Sequence, residues 1–300
     1  MMIYKTNKTY WQIAKRLSTA QLQIDTYEDA YFTDQDLFNP DSNRRGHNFF
    51  LGYYSHKGLK LIIQKYGILE VLEKKGFKDV NYIIDTDDPY VHKLMFYHKK
   101  NMIIEAVLKR ETLSLDIPDC TKLHGKRISI LSIEWLSMQN PYGEFTIKRP
   151  QLPAQQHPGL GLASQAVEMF MIAAWRLKLG GLINTPQQYH NAYLYSRIFF
   201  YLNPDHQAML MAMIRDTKRY PLFKVAWALE WNAIHDLKND KPAEWFAAKQ
   251  IVPLDEELKK VFNSWNYRRK IKKLSENYKF RLDEDKYAKI KKIKKDKEDK

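Results

Sequence analysis

Apolar residues from Ala163 onward, at Ala166, Val167, Phe170, Ala173, Ala174 and Leu177, recur at steps of three and four. That is the buried stripe of an amphipathic helix, and Gly180-Gly181 is expected to stop it. A second helical stripe covers Lys57 to Lys75 through Leu59, Ile62, Ile63, Tyr66, Leu69 and Leu72. Between these stripes the period changes to two. Tyr90 to Tyr97 and Met102 to Arg110 read as strands joined by the polar turn His98-Lys99-Lys100-Asn101. Arg127 to Leu136 reads as a third strand, with Ile128, Ile130, Ser132 and Glu134 on one face and Ser129, Leu131, Ile133 and Trp135 on the other. Further on, Leu182 to Asn184 suits a short strand and Gln187 to Tyr195 a helix. Asp205 to Arg215 and Leu222 to Leu237 look helical, with Met209, Met211, Met213, Trp227 and Trp231 as core candidates. Thr33 to Arg45, rich in Asp, Asn and Ser, reads as a loop.

Composition supports a packed, enzyme-sized unit with extensions: 300 residues, 44% hydrophobic and 13% aromatic. The charge is uneven. Of the formal net charge of +14, residues 266–300 carry +8, from fifteen Lys/Arg against seven Asp/Glu. Because acids are mixed into that segment, a solvated face is favoured over a nucleic-acid-binding arm, although nucleic acid stays open as a partner. Cys120 is the only cysteine, which excludes an intramolecular disulfide and a cysteine zinc site and points to a reducing, cytoplasmic setting. No apolar run has the length of a signal peptide or a membrane span. His47 and His56, or His92 and His98, lack carboxylates at ligand-like offsets, so no metal site is expected. Asp85, Asp87 and Asp88 read as turn chemistry.

The chemistry concentrates in Gln156-His157-Pro158-Gly159-Leu160-Gly161, which leads directly into the first helical stripe. Two glycines let backbone N–H groups approach an anion, and the helix start adds unpaired amides and the positive end of its dipole. A P-loop would need Lys and Ser or Thr after the second glycine, where Leu162-Ala163 stands. A dinucleotide fingerprint would need an uninterrupted strand before it, which Pro150, Pro153 and Pro158 preclude.

The spacing Gln-x-x-Gly-x-Gly resembles the acyl-CoA loop of the GNAT acetyltransferase superfamily, and Leu194-Tyr195 resembles the Leu-Tyr pair near the end of that family's second cofactor-side helix. Residues 149–197 are also similar to a group of bacterial proteins that share Pro-x-Leu-Pro, His-Pro-Gly-Leu-Gly-Leu and His-Asn-x-x-Leu-Tyr-Ser-Arg. The GNAT resemblance covers about residues 58–205. It implies an α/β (α+β) fold with a mixed, mostly antiparallel sheet flanked by helices. Residues 1–57 would then form an N-terminal helical and loop extension, 206–265 a mainly helical C-terminal extension, and 266–300 a basic tail.

The same resemblance implies an acyl-CoA-dependent N-acyltransferase taking acetyl-CoA or another acyl-CoA, with an amine acceptor. Gln156, His157, Gly159, Leu160, Gly161 and Leu162 would bind the cofactor, together with Asn191, which stands where the family usually has Ala. Tyr195 would protonate the departing thiolate, and Phe145 to Lys148 would be the strand end facing pantetheine. Glu134 would accept the amine proton, a role that partial burial among apolar neighbours would favour, with Glu105 in reserve. If the analogy runs to the end of the domain, two more strands follow residue 204, with Val225 to Glu230 a candidate for one. The alternatives are a GNAT-like binding protein without turnover, using its basic tail for nucleic acid or protein, and an acyltransferase served by an acyl carrier protein.

Overall fold

The computed structural model describes residues 7–24, 49–115, 123 and 125–298. The expected loop over Thr33 to Arg45, as well as His47, Cys120 and His124, lies outside them. In chain order the first elements are α1 (Lys8–Arg16), α2 (Thr19–Leu22), α3 (His56–Lys65), α4 (Ile68–Glu73), β1 (Val80–Asp85), β2 (Val91–His98), β3 (Asn101–Ser114) and β4 (Arg127–Met138). They are followed by α5 (Ala163–Arg176), β5 (Gly181–Asn184), α6 (Tyr189–Tyr195), β6 (Phe200–Tyr201), α7 (Pro204–Thr217) and α8 (Leu222–Glu230). The remainder is β7 (Ile234–Asp236), β8 (Lys241–Pro242), β9 (Gln250–Pro253), α9 (Glu256–Phe262), α10 (Trp265–Ser275), β10 (Phe280–Leu282) and α11 (Glu284–Glu298).

Seven strands form the main sheet in the order β1-β2-β3-β4-β5-β9-β6. The first four are an antiparallel meander. β5 runs parallel to β4, as a crossover through α5 requires, and β9 lies antiparallel between β5 and β6. The chain is therefore mixed α/β with a mostly antiparallel sheet between helices. One face, with Leu108, Leu131, Ile133, Leu182 and Val252, packs against α1, α3 and α5. The other, with Ile128, Ile130, Ile183 and Ile251, packs against α7, α9 and α10. A smaller sheet, β10-β7-β8, shares a second core with α7 and α8.

The acidic turn after β1 behaves as turn chemistry. Asp88 accepts from the amides of Tyr90 and Val91, and Asp85 accepts from Asp87 N–H and pairs with Lys93 at 3.1 Å. These bonds hold both carboxyls below the usual carboxylate range, the backbone amides being the larger cause.

Several expectations are corrected. The stripe over Lys57 to Lys75 is two helices, because Gly67 at φ +64 breaks it between α3 and α4. Beyond α5 the chain turns out of the helix at Lys178, a non-glycine at φ +54. There Lys178 N–H bonds Trp175 O and Leu179 N–H bonds Ala174 O. Gly180-Gly181 instead feeds β5, where a Cβ on Gly181 would lie 2.8 Å from Ile251 Cδ1. The helix expected through Leu237 stops at Glu230, and Asn232 at φ +54 turns the chain into β7. Val225 to Glu230 lies in α8 and not in a strand; the strands added to the main sheet after α6 are β6 and β9. Phe145 to Lys148 is a tight turn closed by a Thr146–Arg149 bridge, not a strand end. Met209 and Met213 are buried as expected, but Met211 is exposed.

The basic segment is not a free arm over its whole length. Tyr267, Ile271, Phe280, Leu282 and Tyr287 are all buried. The lysines beyond Tyr287 sit at exposed positions of α11 wherever their side chains are described. Among the described residues no helix is long and apolar enough to cross a membrane.

Candidate active site

The parallel pairing of β4 with β5 covers only Ile130–Ile133 against Gly181–Asn184. β4 then runs on for five residues, Glu134 to Met138, of which the first four have β3 as their only strand partner. From Glu134 to Ser137 the edge that faces away from β3 thus has no strand partner. The chain leaves β4 through a turn at Asn140 and returns beside it. Asn140 N–H donates to Pro158 O at 2.7 Å and Leu160 N–H to Met138 O at 3.1 Å, which flanks a bridge between Gln139 and Gly159.

This stitching sets the loop's geometry. Pro158, Leu160 and Leu162 are buried, while Gly159 and Gly161 are exposed between them. Leu160 and Leu162 enter a core with Ile63, Leu72, Phe96 and Ile103. Gly161 adopts φ +70, and a Cβ placed on it would meet nothing within 4 Å, so backbone conformation rather than space requires glycine there. α5 starts one residue later, and its N-cap Leu162 makes no side-chain cap bond.

Of the amides expected to face a phosphate, that of Leu160 is spent on Met138 O, which removes it from the donor set. The bridge pattern turns Gly159 N–H away from β4, and Gly159, Gly161 and Leu162 have no backbone acceptor among the described residues. Gln156 is exposed and His157 half-buried. Beside the loop lies a cavity of about 300 Å³ bounded by Phe145, Arg149, Gln155 and Phe223, in which Arg149 is the one charged lining residue.

Glu134 is the extra residue of a bulge, since Ile133 faces Leu108 and Trp135 faces Val107 with nothing opposite Glu134. The bulge reverses the alternation. Leu136 continues the face of Ile133, and Trp135 moves to the open face, 55% exposed. Glu134 is itself exposed, so it lacks the partial burial that would favour its role as base. Glu105, the reserve, is half-buried opposite Ser137.

Tyr195 ends α6 and packs into the same core as Ile133, Leu136 and Val167, with its ring 5.6 Å from Phe199. Burial pushes its phenol above the ordinary value, so the proton stays on oxygen at neutral pH. Asn191, half-buried, lies one turn before it on the same helical face. Tyr195 thus shares a core with Leu136 of the β4 extension, the loop is bonded to Met138 at that strand's end, and Glu134 is exposed.

Some residues escaped the sequence reading. Glu168, within the amphipathic stripe, is buried and accepts from Asn7 N–H; burial holds its carboxyl above the usual range. Asn184, His190, Tyr201 and Gln250 are buried polar groups near the ends of β5, β6 and β9. Among the described residues no group of three or more His, Cys, Asp or Glu could hold a metal ion. Comparison with protein-family models, with curated proteins and with solved structures found no match to this chain.

Proposed function

We propose that this protein is an acyl-CoA-dependent N-acyltransferase of the GNAT type. The observation that carries the reading is the opening where β4 outruns β5, with a glycine-punctuated loop stitched to the strand's end and a helix starting beside it. A pantetheine arm is extended and carries amides, so it can hydrogen-bond a free strand edge as an added strand would. A pyrophosphate suits the amides of Gly159, Gly161 and Leu162 at the start of α5. A parallel pair inside an otherwise antiparallel sheet, at the step from strand to phosphate loop, accords with a GNAT-like fold.

In this reading the acceptor amine attacks the thioester carbonyl at the mouth of the opening. Glu134 takes the amine proton, directly or through water, from its exposed bulge position, and Tyr195 delivers a proton to the departing sulfur. Acetyl is the first acyl group to test.

Acetyl-CoA or CoA is expected to raise the melting temperature, since a ligand at about 100 times its Kd adds about 2.7 kcal/mol to stability. Gly161→Asp is expected to abolish the shift by setting a carboxylate against the diphosphate, whereas Gly161→Asn, with the same backbone demand, retains it. Tyr195→Phe is expected to lower acyl transfer to an amine panel without changing the CoA shift. Absence of stabilisation by any acyl-CoA refutes the reading.

A further inference from the structure

Beyond the β4–β5 opening, buried polar atoms without partners gather on the other side of β5. Asn184 and Tyr201 both stand opposite Gln250 across the sheet, so the three side chains share one face. They are 7%, 1% and 0% exposed respectively. Asn184 Oδ1, Tyr201 Oη, and Oε1 and Nε2 of Gln250 make no hydrogen bond. Trp245 continues the group, with its ring 6.5 Å from Tyr201 and 5.4 Å from Tyr189 and its Nε1 without a partner. His190, 4% exposed, has an unpartnered Nδ1. A buried polar group left unpaired costs about 1–3 kcal/mol, so such a concentration is unusual outside a site that binds something.

A cavity of about 220 Å³ adjoins the group, and His190 and Trp245 both line it. Its other walls include Tyr189, Asn232, Glu230 and Glu244. Both glutamates are exposed, and neither forms an ion pair among the described residues. No Lys or Arg lines the cavity, although the chain carries +14 overall. The nearby Lys286 of α11 donates to Asn232 O at 2.9 Å.

This combination selects a ligand. Two carboxylates at the rim favour a cation, the Tyr189 and Trp245 rings add cation–π attraction, and the uncharged interior offers hydrogen bonds but no counter-charge. A bare metal ion is not favoured: although His190 lines the cavity with the two glutamates, among the described residues no three His, Cys, Asp or Glu side chains are grouped so as to hold one. An anion would meet the two glutamates at the rim.

We propose that the cavity between α6, α8 and the Ala243–Trp245 segment binds a small primary ammonium compound whose body also carries an uncharged hydrogen-bonding group. The ammonium is held by Glu230, Glu244 and the aromatic walls, and the polar body reaches His190 and Trp245. Burial pushes the His190 imidazole down to about 4, which keeps the interior uncharged at neutral pH.

The test uses the full chain and no thioester, so its outcome is independent of the acyl-CoA reading. The probes are 4-aminobutanamide, butylamine and butanamide, followed by calorimetry and by the indole N–H resonance of Trp245, assigned through Trp245→Phe. 4-Aminobutanamide is expected to bind and move that resonance, with butylamine weaker and butanamide weakest. Glu230→Gln combined with Glu244→Gln changes only exposed carboxylates; it is expected to keep the melting temperature and the CoA response while weakening 4-aminobutanamide about fivefold or more. Equal affinity for butanamide, equal affinity in the double variant, or no Trp245 shift at about 10 mM ligand overturns the proposal.

Discussion

His190 gives the sharpest test of the buried polar region, because its protonation state ties that region to global stability. Desolvation lowers its folded-state pKa to about 4, against about 6.5 in an unfolded chain. Between those values the unfolded state binds more protons, so stability is complete above pH 6.5 and is lost as pH falls toward 4. Linkage over 2.5 pKa units gives a full penalty of about 3 kcal/mol, of which about 2 kcal/mol is already present at pH 5. His190→Gln keeps a polar side chain of similar size and removes the titration. Its baseline stability can change through packing, so the decisive quantity is the slope: urea unfolding at pH 7.5 and pH 5 should show wild type losing about 2 kcal/mol more than the variant. His206, also held low mainly by burial, is present in both proteins and cancels in the comparison. Equal losses in the two proteins would show that His190 is either solvated or already paired, and would remove the argument for an uncharged interior.

Two further outcomes follow from packing. Gly58 lies where a Cβ would sit 2.1 Å from the carbonyl oxygen of Leu22, so Gly58→Ala must separate α2 from α3. A loss of about 1–3 kcal/mol in urea unfolding is expected, and an unchanged midpoint would refute the close approach. Truncation after residue 288 is expected to leave the melting temperature unchanged, whereas removal from Asn266 onward takes away Tyr267, Ile271, Phe280, Leu282 and Tyr287 and should unfold the C-terminal half. Hydrogen exchange across α7, α8 and β7 distinguishes the two. Salt-dependent nucleic-acid binding lost only with residues 289–300 would restore a role for the tail as a charged arm.

The parts of the fold legible in the chain are those decided by local periodicity. Alternation located β2, β3 and β4 within a few residues, and the three-four stripe located α5, because one buried face per element is enough to write either pattern. The misreadings have specific causes. Lys178 and Asn232 turn the chain out of α5 and α8 in left-handed conformations that are read most readily at glycine; after α5 the nearby Gly180-Gly181 drew the boundary, and after α8 no glycine marks one. Gly67, which does break a helix, sits inside an apolar stripe whose spacing continues across it. β9 and β6 are too short to show a period and are strands only through their pairing, β9 with β5 and β6 with β9.

The site divides along the same line. Gly159 and Gly161 are legible from their spacing just before a helical stripe, and the burial of Pro158, Leu160 and Leu162 around them agrees with a shaped loop. What the loop does with those amides was not visible, since the bond that claims Leu160 N–H comes from Met138, across a turn whose path no local pattern specifies. Glu134 shows the cost of assuming unbroken alternation: one inserted residue leaves it unpaired and exposed and carries Trp135 to the opposite face. Asn184 reads as the polar end of a short apolar run, and Gln250 carries no signal of its own. Only when β9 is laid between β5 and β6 do they form, with Tyr201, a polar row in the core, and that row is a product of pairing between residues far apart in the chain. A tertiary contact of that kind leaves no periodic trace, so functional chemistry built from it becomes visible only after the sheet order is known.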